Sequence, residues 1–569
     1  MKPEGTRYWA ATQVHPIRSL LSNGVKVLSP EMPVVSEADA VHLAEGSTLA
    51  SVKRGGKSPT GSEAVARYQM DRLGTREAHS VPRYGVWATK PIDSKAVQMT
   101  LWESDQSIVP KKPRNGGRGK GLAGMRWDGR ETSSTLTGGL RMSTKLSSLT
   151  QRARGNPREK FTSLAHLLTE DFLLECFKEL KRDKAPGIDG VTVREYEEHL
   201  EENLKDLVVR LKAKRYRPRP GRRVYIPKPN GKRRPLGIPT VEDKIVQMGI
   251  KKILEAIFEC DFLDVSYGFR PNRSCHDAVD KVDRVIMTKP INYVVDMDIE
   301  KFFDTVDHKW LMECLRQRIA DSSLLRLIAR FLSSGVMEQG RYVEPDRGTP
   351  QGGVLSPLLA NIYLHYILDL WFERVVKRGV RGYAELVRYA DDFVVCFQYE
   401  DEAKEFGEAL RQRLSKFGLR ISEQKSRIIE FGRQAWQRAQ RQGKRVATFD
   451  FLGFTHYCDK TRRGKFKLGR RTARKKRTQK LKEMNRWLKA VRNTAKLEEW
   501  WPILRLKLVG HYRYYGISGN MPKLNRYYNQ TVRVAHKWIN PVRCLLSSGV
   551  NRRSQKRSYK WRQFSRFLQ

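Results

Sequence analysis

No two cysteines in this chain have the spacing of a zinc knuckle or a redox pair. The seven that occur, at 176, 260, 275, 314, 396, 458 and 544, stand singly. That pattern excludes a structural zinc ribbon and fits reduced thiols in a cytosol-like compartment. An apolar run of about 18 residues is also missing, and so is a charged-then-apolar leader, so neither a membrane span nor secretion is indicated. Acidic residues are scarce, 62 Asp and Glu against 109 Lys and Arg, a formal net charge of +47. Such an excess is the electrostatic footprint of a nucleic-acid partner, and binding through it weakens at high salt. The sequence thus points to the cytoplasm, in association with a nucleoid or a ribonucleoprotein.

A chain of 569 residues is long enough for two or three domains. Residues 1–150 are rich in Gly, Ser, Thr and charge without sustained periodicity, and Lys111 to Gly121 reads as a basic linker. This stretch is expected to be a flexible extension. From about Cys458 the character changes again. Between Lys460 and Lys489 there are fifteen Lys and Arg against one acid, Glu483. Helical periodicity follows around Leu481, Trp487, Leu488 and Val491, and again from Trp501 to Val509.

The chemistry concentrates at Tyr389-Ala390-Asp391-Asp392. Apolar and aromatic residues on both sides read as two short strands, with Ala390-Asp391-Asp392 as the bend between them. Adjacent carboxylates repel unless a cation neutralises them, which asks for a divalent metal. An isolated Asp-Asp turn would be ordinary. A second acidic block, Asp296-Met297-Asp298-Ile299-Glu300, ends a buried-type strand from Tyr293 and precedes a helical pattern from Thr305 to Cys314. A pair of metal ions roughly 3.5–4 Å apart needs carboxylates that reach both. Asp298, Asp391 and Asp392 would supply that set.

In this order the blocks resemble a reverse transcriptase of the group II intron-encoded, or maturase, type. The resemblance runs from about Phe161 to the C-terminus. It implies that Asp298 and Asp391 bind two Mg²⁺ ions, that the backbone carbonyl of Ile299 is a further ligand, and that Asp392 completes the catalytic hairpin. Asp296 and Asp304 match neighbouring positions and are read as structural. Tyr225 to Pro239 reads as strand, Pro-Asn-Gly turn, strand. Its Lys228 and Arg234, with Arg222 nearby, match positions that hold the incoming nucleotide. Gly348-Thr349-Pro350-Gln351-Gly352-Gly353 matches a segment lying under the templating base and incoming nucleotide, with Gln351 facing the site as a nucleotide-binding residue. Phe303 matches the aromatic ring that excludes a ribose 2′-hydroxyl. Lys184-Ala185-Pro186-Gly187-Ile188-Asp189-Gly190 resembles the N-terminal extension block, and Phe449 to Phe454 a primer-grip-like hairpin.

The implied architecture is α+β: a right-hand polymerase with helix-rich fingers, an antiparallel-sheet palm and an all-α thumb or maturase domain behind a poorly structured extension. Its expected divisions are the extension at 1–150, fingers at 151–290, palm at 291–457 with an insertion at about 310–345, and thumb at 458–569. Implied partners are group II intron RNA, an RNA template, a DNA primer and deoxynucleoside triphosphates, with a homodimer left open. Arg470, Arg471, Arg474, Lys475, Lys476, Arg477, Lys480 and Lys482 are the RNA-binding candidates. Only Cys544 lies beyond Cys458, so the H-N-H nuclease of many relatives, with its paired cysteines, is not expected. A primer would then come from elsewhere, such as a nascent strand at a replication fork. Two rivals stay open: a free-standing host enzyme of repair or phage defence, and an RNA-binding splicing factor without polymerase activity.

Reversing several charges between Arg470 and Lys482 should weaken RNA binding and flatten its salt dependence. Binding measured across a salt series checks this, and an unchanged slope contradicts it.

Overall fold

The computed structural model describes residues 133–227, 233–349, 352–494 and 497–539. The first 132 residues, where most of the extension was expected, lie outside the described residues, as do Lys228 and Gln351. The expected extension stops short of 150, because Ser133–Gly155 is a helix (α1). Its later part buries Leu149 and Ala153.

Next come helices α2 (Glu170–Lys178) and α3 (Leu200–Lys212), then strands β1 (Gly221–Pro227) and β2 (Arg233–Ile238). The expected strand–turn–strand is an antiparallel pair with Val224 opposite Leu236. Helix α4 (Val241–Phe258) begins where the Thr240 hydroxyl accepts from the Asp243 amide. It buries Ile245, Val246, Ile250, Ile253, Leu254 and Ile257, the spacing of a helix packed on its surroundings. Helix α5 (Cys275–Thr288) starts at a reciprocal Ser274/Asp277 capping box.

Strands β3 (Tyr293–Asp298), β6 (Ala384–Tyr389), β7 (Asp392–Phe397) and β8 (Arg427–Glu430) form an antiparallel sheet in the order β6-β7-β3-β8. One face of it, with Val294, Val387, Val394 and Cys396, packs on Val279 and Val282 of α5. On the other face Phe397 meets Phe406, and Met297 meets Gly407, both on helix α9 (Glu400–Lys416). Covering on both faces explains why these strands read as continuous apolar runs.

Between β3 and β6, in the stretch where an insertion was expected, lie α6 (His308–Arg316), α7 (Ser322–Leu332), β4 (Val336–Glu338) and β5 (Arg341–Val343). The helix expected from Thr305 to Cys314 is therefore split, a single turn at Phe302–Thr305 preceding α6. Strand β4 pairs in parallel with β1, so the insertion completes a second sheet, β2-β1-β4-β5. Helix α8 (Ser356–Leu364) opens with Pro357 in its first turn and continues through two wide π turns, His365–Asp369 and Phe372–Val376.

After helix α10 (Arg433–Arg441), strands β9 (Phe449–Phe451), β10 (Phe454–Lys460) and β11 (Phe466–Thr472) make a third antiparallel sheet. The region from 458 is thus not all-α: it opens with strands, and Arg470 and Arg471 lie on β11. Helices α11 (Arg474–Val491), α12 (Leu497–Tyr515) and α13 (Met521–Ile539) follow, joined by Met484, Leu488, Trp500, Leu504, Leu508, Tyr527 and Ala535. Among the described residues, no helix is long and apolar enough to cross a membrane.

Asp321 ties the insertion to the beginning of the described chain. Its carboxylate caps α7 at Ser323 and Leu324 (2.8 and 3.0 Å) and accepts from the Leu164 and Ala165 amides (2.6 and 2.7 Å). Burial pushes this carboxyl's pKa up, but the four amides outweigh it and the net shift is downward. Asp321→Ala should destabilise the fold by roughly 2–4 kcal/mol in urea titration. Because the folded-state pKa is depressed, the contribution is complete above roughly pH 4–5 and fades as pH falls through the lowered value. The deficit of the variant should therefore shrink in acid.

Candidate active site

Strands β3 and β7 place Asp298 directly opposite Asp392. The β6–β7 loop is only Ala390-Asp391, with Tyr389 paired to Asp392. Ala390 has φ +57, while Asp391 is not among the positive-φ residues, the sign pattern of a II′ hairpin. Glycine is the usual residue at that first loop position, and a Cβ there costs about 1–2 kcal/mol. The hairpin is therefore held from outside.

The hold is a buried polar cluster that the sequence reading passed over. Arg388, fully buried in β6, pairs through both nitrogens of its fork with Asp369, which is also fully buried (Nε–Oδ1 2.7 Å). Its Nη1 donates to the Ala390 carbonyl (3.0 Å) and the Asn361 side chain (2.9 Å), and its Nη2 to the Ser266 hydroxyl (2.8 Å). Asn361 in turn donates to the Gly268 carbonyl at 2.6 Å. Gly268 lies so close that a Cβ there would sit 2.5 Å from the Ala390 nitrogen. The signal in the sequence was an arginine inside an apolar strand, which burial permits only with a partner.

A second support comes from the β9–β10 turn. Leu452 and Gly453 both have positive φ, and the Leu452 backbone works against the rise that burial imposes on the Asp392 pKa. The Leu452 carbonyl accepts from the Tyr514 hydroxyl of α12 at 2.8 Å. The C-terminal helices are thereby tied to the β9–β10 turn.

Electrostatics mark the carboxylates as crowded. Burial raises the Asp391 pKa and Asp298 raises it further, against Arg234 and Arg388. Asp392 is pushed up to about 7 by burial, then by Asp391 and Asp296. The Lys425 ammonium sits on Asp298, and Arg427 lies 3.4 Å from Asp296. Among the described residues no three His, Cys, Asp or Glu side chains close into a ready-made ion cage. The donor chemistry nonetheless suits a hard divalent cation: anionic oxygens whose mutual repulsion a cation relieves, one of them met by a lysine charge.

Other predicted residues surround this point. Phe303 is half-buried against Phe302, and its carbonyl accepts from the Thr349 amide at 2.8 Å. Gly348, at φ +91, lies against the Phe303 and Asp304 backbone, and Gly352 against the Gly237 carbonyl of β2. Gly348 and Thr349 thus fasten to the Phe303 turn, and Gly352 to the β1–β2 hairpin. Arg234 stands on β2 within electrostatic reach of Asp391. Arg222 instead grips the Pro186 carbonyl (2.8 and 3.1 Å), while Lys244 reaches the Ala185 carbonyl at 3.2 Å. Ile299 follows Asp298 in a bridge to Ile421.

The basic candidates divide. Arg470 is committed to Asp280 and Asp283 of α5, and Lys480 pairs with Glu483. Arg471 stacks on Tyr457, while Arg474, Lys475, Lys476 and Lys482 are exposed. Arg477 has its pKa lowered by burial and by the neighbouring Arg526, Arg474 and Arg471, with Lys523 sharing the cluster. Lys523 and Arg526 come from α13 and were not anticipated.

The sheet and its acidic hairpin lie within the part of the chain that is similar to known proteins. The family described as reverse transcriptase (RNA-dependent DNA polymerase) matches residues 226–456. Group II intron-encoded protein LtrA of Lactococcus lactis subsp. cremoris is 35% identical over 302 residues, 51% of this chain and 50% of that protein. Protein YkfC of Escherichia coli is 36% identical over 276 residues, 43% of this chain and 72% of that protein. Putative COX1/OXI3 intron 1 protein of Saccharomyces cerevisiae is 33% identical over 213 residues, 37% of this chain and 25% of that protein. The chain belongs to the reverse transcriptase family, in its group II intron-encoded branch. It spans about half the length of LtrA.

Gly268→Ala should force its new methyl into the Ala390 backbone. A loss of roughly 1–3 kcal/mol in unfolding free energy is expected, read by urea denaturation. Gly510→Ala, on helix α12 with no atom within 4 Å of a Cβ and no left-handed backbone, is the control for a mutation that meets no neighbour and should not destabilise.

Proposed function

We propose that this protein is an RNA-directed DNA polymerase that also binds its group II intron RNA, assisting splicing and supporting intron mobility. The observation that carries the reading is the register of Asp298 against Asp392, beside Asp391 in a two-residue loop. In this reading Asp298 and Asp391, with the Ile299 carbonyl, hold two Mg²⁺ ions. When bound, Mg²⁺ supplies charge neutralisation at the attacking hydroxyl and at the departing pyrophosphate.

The chain's own residues do the rest. Arg234, with Lys228, neutralises the nucleotide triphosphate, the guanidinium fork suiting phosphate oxygens and the ammonium acting as a point charge. Arg222 serves this pocket indirectly in the present geometry, since its donors hold the Pro186 loop in place. Phe303 presents its ring at the sugar and favours deoxyribose. Gln351 is assigned to the nucleotide-binding set from its place in the sequence between Gly348 and Gly352. Lys425 compensates the charge of Asp298.

Intron RNA binding is assigned to the cationic surface of β11, α11 and α13. Arg471, Arg474 and Arg477 contribute to it, with Lys475, Lys476 and Lys482 along α11. Aromatics of the C-terminal helices pack largely inside, as Trp487 against Trp500 does, so RNA is gripped mainly through phosphates. The RNA carries out its own splicing chemistry, and the protein stabilises its fold.

Asp391→Ala should abolish primer extension on an RNA template with Mg²⁺ and deoxynucleotides while largely sparing splicing of the bound intron. Primer extension at the wild-type rate would remove the metal assignment. Parallel loss of splicing in a folded variant would argue against two separable activities.

A further inference from the structure

We infer that Arg388 and Asp369 are positioning residues that set the metal affinity of the acidic hairpin, acting through the Ala390 carbonyl. The inference rests on the polymerase reading above. Neither side chain hydrogen-bonds a catalytic carboxylate. Both are fully buried, as are Asn361 and Ser266, so the cluster does not serve as a surface for a ligand.

Its geometry is directed at one place. Arg388 lies two residues before the strained Ala390, and its Nη1 donates to that residue's carbonyl at 3.0 Å. The strand itself is anchored at the same point: the Arg388 amide donates to the Val265 carbonyl (2.8 Å), and the Tyr267 amide donates to the Arg388 carbonyl (2.9 Å). Gly268, one residue on, closes against Ala390 from the other side. The turn that carries Asp391 is therefore clamped at its first residue.

The helix that supplies Asp369 is shaped for this contact. Asp369 ends a π turn, His365–Asp369, where the backbone is wider than in an α-helix. Each residue turns an α-helix by roughly 100°, so the extra residue of a π turn decides which way Asp369 faces. Arg413 donates to the Ile367 and Tyr366 carbonyls (3.0 and 3.4 Å), supporting carbonyls of that widened turn. An ion pair serving stability alone would not require such a departure, because well-packed apolar residues often replace a buried pair without loss.

The test is Mn²⁺ binding to the full chain with primer–template, followed by electron paramagnetic resonance, alongside thermal melting. Asp391→Ala identifies the signal that belongs to the hairpin. Arg388→Lys keeps a charge for Asp369 but loses the planar fork that bridges to Ala390. The double variant Arg388→Met with Asp369→Leu removes the ion pair without leaving a lone buried charge. Both should remain folded and lose Mn²⁺ affinity by about 10–100-fold, the range for residues that orient metal ligands from behind. The apparent Mg²⁺ requirement for primer extension should rise in step, with little change in KM for the nucleotide. Folded variants that bind Mn²⁺ as the wild type does would overturn the inference, as would failure of both to fold, which would make the pair a determinant of the fold. Wild-type protein with Asp391-dependent Mn²⁺ binding but no primer extension would sink the polymerase reading and leave this one standing.

Discussion

Arg388 and Asp369 form an ion pair from which water is wholly excluded, and the acidic site hangs from it. Removing two charges from water costs several kcal/mol for each. That cost is offset here by geometry. The guanidinium engages Asp369 with two nitrogens and uses its remaining donors on Asn361, Ser266 and Ala390. The cluster joins the strand before the hairpin, the helix behind it and the segment around Ser266. Parts of the chain more than a hundred residues apart are thereby made to agree on the position of one turn.

Around that turn, the remaining site residues are set by backbone contacts as much as by side chains. Gly348 and Gly352 allow one loop to touch both the Phe303 turn and β2 at distances that exclude a Cβ. Arg222 and Lys244 dock the Pro186 loop onto the same neighbourhood through its carbonyls. From the other side, Tyr514 of α12 holds the Leu452 carbonyl, so the C-terminal helices are hydrogen-bonded to the β9–β10 turn whose backbone influences Asp392.

Local pattern was sufficient for much of this. Apolar flanks and turn residues marked the β6–β7 hairpin, a Pro-Asn-Gly turn marked β1–β2, and the 3.6-residue period marked the C-terminal helices. It failed where a partner distant in sequence decides the outcome. Strand β11 was hidden within a basic stretch whose composition resembled a solvated surface, because pairing with β10 is a long-range interaction. The split at Val306 and Asp307 was missed because a continuous apolar period does not report where a loop such as Gly348 bonds to the Val306 carbonyl. Likewise, composition alone could not separate Arg470, neutralised by α5, from Arg471 and Arg477, which gather with Lys523 and Arg526.

Order and type of residues along the chain determined by themselves that an acidic strand end and an Asp-Asp hairpin would be present, in a strongly basic protein. Those are local facts, since strand, turn and charge depend on neighbours in sequence. Only the tertiary structure decided that Asp298 stands opposite Asp392, that Arg388 is a strut with Asp369 as its counter-ion, and which cations remain available to phosphate. Register, burial and charge compensation arise between segments that meet only on folding, and a buried charge is tolerated only where its partner arrives.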